Sequence, residues 1–241
     1  MKSLFTLIII FTAIEIKAQD TIWFDVSNEV TIKSNAWYYK LTNYTKTNNG
    51  EYFCEKFWIN NTIKARFTCS DEKLQDFNDS YISWYDNGQV EDSGIYVLDK
   101  KHGTWKYYFP NGQLSGIVDY KDDKRVEEKY WDIDGKQVKD NKEANTITEF
   151  IGGFKNLSKY LSKNIKYPTI ARKNGIQGKV IVSFVIDEKG NVINPHIRKS
   201  VNPDLDKEAL RVITEMPRWK PGKSYNRYSK IRFIFPVNFE L

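Results

Sequence analysis

Histidine and cysteine are scarce, with two of each in 241 residues. Neither histidine lies near a cysteine, so no spacing suited to a metal site is present. There is no glycine-rich phosphate loop, and no serine or cysteine sits in a recognisable nucleophile setting. His102 and His196 stand apart, and Asp204, Asp206 and Glu208 suit the first turn of a helix, where carboxylates favour the dipole. The sequence therefore points to no catalytic residue, no metal and no cofactor. Proline is sparse too, seven residues with none in a run, which leaves no extended proline-rich spacer. The apolar run from Leu4 to Ile14 is about half the ~20 residues that span a bilayer.

That run follows Lys2, is closed by Glu15 and Lys17, and precedes a small residue at Ala18, so residues 1–18 read as a signal peptide. An uncleaved anchor is the competing reading. Export places the protein outside the cytoplasm, in an oxidising compartment, and cleavage leaves no stable membrane anchor. The chain as a whole is 40% hydrophobic, 15% aromatic and 28% charged, with a mean hydropathy of −0.60, enough to bury a core. The net charge of +6 and pI near 9.0 would suit a polyanion. The basic residues read as scattered, without the stripe that tracks a phosphate backbone, so a solvated surface and no nucleic-acid partner are expected.

In an exported chain the two cysteines are candidates for a disulfide. Cys54 and Cys69 flank a predicted hairpin, Glu51–Ile59 and Ile63–Cys69, turning at Asn60-Asn61. A two-residue turn sets Cys54 opposite Phe67 with Cys69 on the diagonal. A four-residue turn sets the cysteines directly opposite, and both registers put them on one face. Two buried thiols are the alternative.

Residues 20–140 are rich in Tyr, Trp and Phe and contain three similar segments, Ser83–Val90, Tyr107–Leu114 and Tyr130–Val138. Their glycines, Gly88, Gly112 and Gly135, are 24 and 23 residues apart. Asn-Gly or Asp-Gly between aromatic runs predicts hairpins whose two turn residues both take φ > 0, and the fixed period predicts an array. Asn60-Asn61 reads as an eroded earlier copy. The aromatic-x-x-Asn-Gly-Gln core and the His102-Gly103-Thr104-Trp105 start resemble the bacterial MORN repeat. That resemblance implies stacked antiparallel hairpins serving as a spacer or interaction surface. The aromatic residues suit cross-strand packing, with a ligand groove as the alternative.

Residues 141–148 are polar and read as a linker. Beyond them the period changes. Leu157, Leu161 and Ile165 recur at helical spacing until Tyr167-Pro168, and a short helical turn through Ile170 and Ala171 ends at Asn174-Gly175. Val180–Ile186 is an apolar strand, Val192–Ser200 returns after Asp187–Asn191, a helix runs from about Leu205 to Met216, and Lys230–Leu241 closes as a strand. The order is αββαβ.

Residues 149–241 resemble the TonB C-terminal domain along their length. The matching pieces include Tyr167-Pro168, Gly175-Ile176-Gln177-Gly178-Lys179-Val180, Met216-Pro217-Arg218-Trp219, Lys220-Pro221-Gly222 and Phe235-Pro236-Val237-Asn238-Phe239. The resemblance implies a three-stranded antiparallel sheet, and the whole chain then reads as mostly β, a hairpin repeat array followed by an α+β domain. It also implies a periplasmic module that takes a peptide of an outer-membrane transporter as an added strand beside the last strand. The core face of that strand should be Ile231, Phe233, Phe235, Val237 and Phe239. Pro236 has no N–H and belongs on an edge, with its nitrogen turned out. Arg232 and Ile234 then face out as well, so docking is placed on Lys230, Ile231, Arg232, Phe233, Ile234 and Phe235. Tyr167 and Pro168 match the family segment beside the docked peptide, or simply end a helix. A full TonB protein has an inner-membrane helix and then a long proline-rich spacer; here a short leader takes the place of the first and the repeat array that of the second, so the resemblance does not carry over direct energy transduction by this chain alone. Two functions follow as expectations: docking onto an outer-membrane transport component in support of energy-dependent transport, or an envelope scaffold binding another protein or cell-wall polymer.

Overall fold

The computed structural model describes residues 21–24, 36–41, 45–46, 50–70 and 76–241. The leader assigned to residues 1–18 lies outside them. Among the described residues no helix is long and apolar enough to cross a membrane.

The first half is an antiparallel sheet of ten strands among the described residues. Its strands are β1 (Thr21–Phe24), β2 (Tyr38–Leu41), β3 (Thr45–Lys46), β4 (Tyr52–Trp58), β5 (Ile63–Cys69), β6 (Phe77–Trp84), β7 (Val90–Val97), β8 (Lys100–Tyr108), β9 (Leu114–Lys121) and β10 (Lys124–Tyr130). From β4 to β10 each strand pairs with its sequence neighbour, so the array is a meander of hairpins.

The turns at one end differ from expectation. Tyr85 N–H donates to Gln89 O at 2.9 Å and Gly88 N–H to Tyr85 O at 3.0 Å, enclosing three residues. Phe109–Gln113, Asp132–Lys136 and Trp58–Thr62 close in the same way. Only the last loop residue is left-handed, with φ between 80° and 85° at Gly88, Gly112 and Gly135 and 67° at Asn61. These are three-residue loops ending in a left-handed residue, and one positive φ suffices. Asn61 does tolerably what glycine does better, which is why that copy looks eroded. The two-residue turns with both φ positive lie at the opposite end, at Leu98-Asp99 and Asp122-Asp123, where no Asn-Gly marks them.

Successive loops lean on one another. Asn60 Nδ2 donates to Asp86 O at 3.5 Å, and the equivalent Asn87 Nδ2 donates to Pro110 O at 2.8 Å. At the other end Asp99 Oδ1 accepts from Phe77 N–H, and Asp123 Oδ1 accepts from Lys101 N–H. The repeat is therefore written in side-chain bonds between hairpins as well as in turn residues.

One face carries an aromatic spine. Phe67, Phe77, Tyr81, Tyr96, Trp105 and Tyr107 follow one another at centroid distances of 4.8–6.3 Å. Gly94 makes room for it, since a Cβ there would come within 2.3 Å of the Trp105 ring. Cross-strand packing is thus what these aromatics do.

The disulfide expectation needs correction. Cys54 pairs with Phe67 and Tyr52 with Cys69, the diagonal register, and both cysteines remain buried thiols. Diagonal Cβ atoms stand roughly 7 Å apart, too far to bridge without moving the backbone.

The second half contains α1 (Gly153–Asn164), α2 (Thr169–Lys173), β11 (Gly178–Ile186), β12 (Val192–Lys199), α3 (Pro203–Thr214), β13 (Lys223–Ser224), β14 (Arg227–Tyr228) and β15 (Ile231–Phe239). The short helical turn expected at Ile170 and Ala171 is α2, and an inserted hairpin, β13–β14, extends the expected order. α3 starts on Asn202, whose side chain accepts from Asp204 N–H at 2.9 Å, followed by Pro203 in the first turn. The sheet order is β12-β11-β15, antiparallel throughout. Leu157, Leu161, Leu205, Val212 and Ile213 from the helices close over Val180, Val182 and Phe184 of the central strand.

Candidate partner-docking margin and the joint beside it

β15 lies at the edge of its sheet. It pairs with β11 from Gly178↔Phe239 to Ile186↔Ile231 without a register shift, and with no other strand among the described residues. Val237 and Phe239 are buried, and Phe233 and Phe235 pack half-buried against the same core. Ile231, expected on the core face, is instead exposed at the start of the strand. Ile234 is 53% exposed on the opposite face. Arg232 lies over the sheet, its Nε donating to Ser183 Oγ at 2.9 Å.

Tyr167 sits at the far end of this strand. Its hydroxyl donates to Ile176 O at 2.6 Å, its ring meets Phe239 edge-on at 5.7 Å, and Arg172 covers it at 5.3 Å. Pro168 caps α2 with extended geometry. Four residues of strand, about 13 Å, separate Phe235 from Phe239, so the structure does not bring Tyr167 and Pro168 together with residues 230–235. Trp219 packs in the core against Phe150, Phe184 and Phe233.

Just ahead of β15 lies a feature with no counterpart in the sequence reading. The β13–β14 hairpin turns at Tyr225-Asn226, both left-handed at φ 53° and 60°. It enters the aromatic face of the repeat array. Tyr225 stacks on Tyr107 at 3.6 Å between centroids and 6° between planes, and its hydroxyl lies 3.1 Å from that of Tyr120. Lys101 Nζ stands 5.4 Å over the Tyr225 ring and 3.9 Å over that of Trp105. Burial pushes the Tyr225 phenol up, but Lys101, bonds from Tyr107 and Tyr120, and Arg125 outweigh it and hold it below its ordinary value. Asn226 Nδ2 donates to Trp131 O at 2.7 Å.

Arg227 carries the joint further. Its Nη1 donates to Glu91 O at 2.8 Å, Tyr108 O at 3.1 Å and Tyr85 Oη at 3.1 Å, while Nη2 lies 3.9 Å from Asp92. Burial raises Tyr85 to about 12 and lowers Lys64, and burial with the neighbouring Asp92 raises Glu91. Lys230, the first residue assigned to docking, lies over the Trp37 ring at 4.5 Å and 3.7 Å from Glu188. The segment read as a linker belongs to the same joint. A 3-10 turn at Asn141–Ala144 leads into bridges from Thr146 to Lys223 and from Glu149 to Lys220. A turn-forming Asn226 within Gly222-Lys-Ser-Tyr-Asn was the available signal. No group of three His, Cys, Asp or Glu able to hold a metal occurs among the described residues.

The profile of the family described as Gram-negative bacterial TonB protein C-terminal matches residues 163–241, and that of the MORN repeat variant matches residues 101–122. Protein TonB from two strains of Xanthomonas campestris pv. campestris is 40% identical over 86 residues, 33% of this chain and 37% of the relative. The chain thus spans little more than a third of the length of these curated relatives. A solution structure of the Helicobacter pylori TonB C-terminal domain is 25% identical and covers 36% of this chain and 90% of its own, with a TM-score of 0.30. Over residues 163–241 the chain therefore carries the TonB C-terminal domain pattern, preceded at residues 101–122 by a repeat of the MORN variant.

Proposed function

We propose that this protein is a periplasmic TonB-like module that docks onto outer-membrane transport components by accepting an extended partner segment as a fourth strand beside β15, in support of energy-dependent transport. The observation that carries this reading is the position of β15, paired on one side by β11 and at the edge on the other. Pro236, which has no N–H to give, lies opposite Ile181 in an unbroken register. Its nitrogen therefore turns away from β11, and by the period of two the N–H and C=O of Ile234 turn the same way. A visiting strand gains main-chain bonds there and side-chain selection from Ile234 and its neighbours. Docking is assigned to residues 230–235. A segment long enough to run on to Phe239 also reaches Tyr167.

The test is crosslinking from a photoreactive residue at position 231, the exposed first residue of β15, in intact envelopes. An outer-membrane transport component in the adduct supports the reading, and adducts confined to unrelated proteins sink it. The joint supports a second reading, an envelope scaffold whose array does the binding, because Tyr225 and Arg227 tie the domain into the array. Adducts that persist when strand addition is blocked at Ile234, yet vanish on changes to the array's exposed face, favour the scaffold.

A further inference from the structure

Seven lysines and arginines, and not one Asp or Glu, lie between Phe150 and Ile186. Folding concentrates them. Leu157 and Leu161 turn α1 towards the core, which leaves Lys155, Lys159 and Lys163, four residues apart, as an exposed ridge on the opposite side. None of the three is in an ion pair among the described residues. The basic residues that read as scattered along the sequence thus form a stripe. α2 adds exposed Arg172 and Lys173.

Large apolar side chains are bared as well, at the start of α1 and on α2: Ile151 is 59% exposed, Phe154 73% and Ile170 65%. A basic ridge alone is a solvated surface or a seat for a soluble polyanion. A soluble polyanion has no use for three bared hydrophobes at the same helices. An anionic bilayer surface takes both, phosphate against lysine and Phe or Ile into the headgroup–acyl boundary. We infer that the exposed surface of α1 and α2 is a peripheral docking surface for anionic phospholipid, distinct from residues 230–235 of β15.

The probe is co-sedimentation of the full chain with vesicles of phosphatidylcholine alone or with about 30 mol % phosphatidylglycerol. Binding should require the anionic lipid and fall steeply with salt. The triple variant Lys155→Gln, Lys159→Gln, Lys163→Gln should bind on the order of 100-fold more weakly, since each lysine near such a surface is worth roughly five-fold. Phe154→Ser should lose about ten-fold with its charge intact. All four side chains are exposed, so circular dichroism should report an unchanged fold. Equal sedimentation with neutral vesicles overturns the inference. So does binding that glycerol phosphate abolishes and Phe154→Ser leaves untouched, which would mark a soluble-anion site, or capture by heparin without any by vesicles.

Discussion

Proline substitution along β15 separates the two sides of the strand. Phe233 lies opposite Phe184 and Ile234 opposite Ser183. If Pro236 turns its nitrogen out, the Phe233 N–H belongs to the ladder with β11 and the Ile234 N–H does not. Phe233→Pro then removes a ladder bond worth about 1 kcal/mol and strands a carbonyl at roughly 1–3 kcal/mol more. Loss of the half-buried ring, which packs 4.8 Å from Trp219, adds to this, so Phe233→Ala is the proper reference. Proline should be about 2–4 kcal/mol worse than alanine at 233, a large part of a typical 5–15 kcal/mol stability. At 234 the side chain is 53% exposed and the N–H is not needed by the fold, so proline and alanine should agree within about 0.5 kcal/mol. Urea titration of the four variants gives both differences. In the crosslinking assay Ile234→Pro should lower partner capture about ten-fold beyond whatever loss of side-chain selection Ile234→Ala causes. If Ile234→Pro unfolds the domain as Phe233→Pro does, the parity is reversed and the proposed docking side is wrong.

Gly94→Ala would set a Cβ within 2.3 Å of the buried Trp105 ring, so overpacking of about 2–3 kcal/mol should outweigh the 0.5–1 kcal/mol gained from lower chain entropy; a more stable variant in urea would refute the close approach. Reducing agent should leave the melting temperature unchanged, because Cys54 and Cys69 are diagonal thiols, and a drop of several degrees would mean that a bridge forms. Burial raises the Glu208 carboxyl, but bonds from Arg211 and Lys166 N–H more than reverse this and hold it below its ordinary 4.5. A depressed folded value means stability present above 4.5 and lost as pH falls through the folded value, so Glu208→Gln should flatten the acid limb of a urea-midpoint profile; identical limbs would contradict it. Tyr225→Ala removes a stacked pair and a hydroxyl contact, about 2 kcal/mol together, and should split one calorimetric transition into two, whereas an unaltered single transition would mean that the joint contributes nothing.

Legibility in the sequence followed the range of the interactions. Period-two alternation, the helical spacing of Leu157 and Leu161, and the proline at 236 are local signals, and they located the strands, α1 and the edge. The loops at Gly88, Gly112 and Gly135 were located by their glycines, but their conformation was misassigned. Asn-Gly is compatible with a two-residue turn, and the third residue enters only because Tyr85 and Phe109 close the bond one position earlier. Leu98-Asp99 and Asp122-Asp123 take the left-handed conformation without glycine because Asp99 and Asp123 are anchored to Phe77 and Lys101, more than twenty residues upstream. The lysine ridge escaped notice because residues four apart look dispersed in a linear reading and coincide only on a helix. The joint was out of reach for a different reason. Tyr225 and Tyr107 are far apart in the chain, and nothing in the composition of either neighbourhood names the other.

The joint is also where local preference is most clearly overruled. A left-handed tyrosine costs roughly 1–2 kcal/mol, and Asn-Gly would fill the same turn without that penalty. Tyr225 persists there because its ring has the Tyr107 face at 3.6 Å and the Lys101 ammonium beside it, partners that asparagine cannot use. The turn is therefore shaped for the array rather than for the hairpin. Arg227 is bonded into the array two residues later, and Lys230, over Trp37, adjoins the first residue of β15. A segment docked on β15 would pull on a strand whose leading end is pinned to the repeats. Load applied there passes into the hydrogen-bonded sheet through Arg227 and Tyr225 before it reaches the three-stranded core. If β15 takes a partner strand as proposed, an array in this position would brace it, which a flexible spacer could not do.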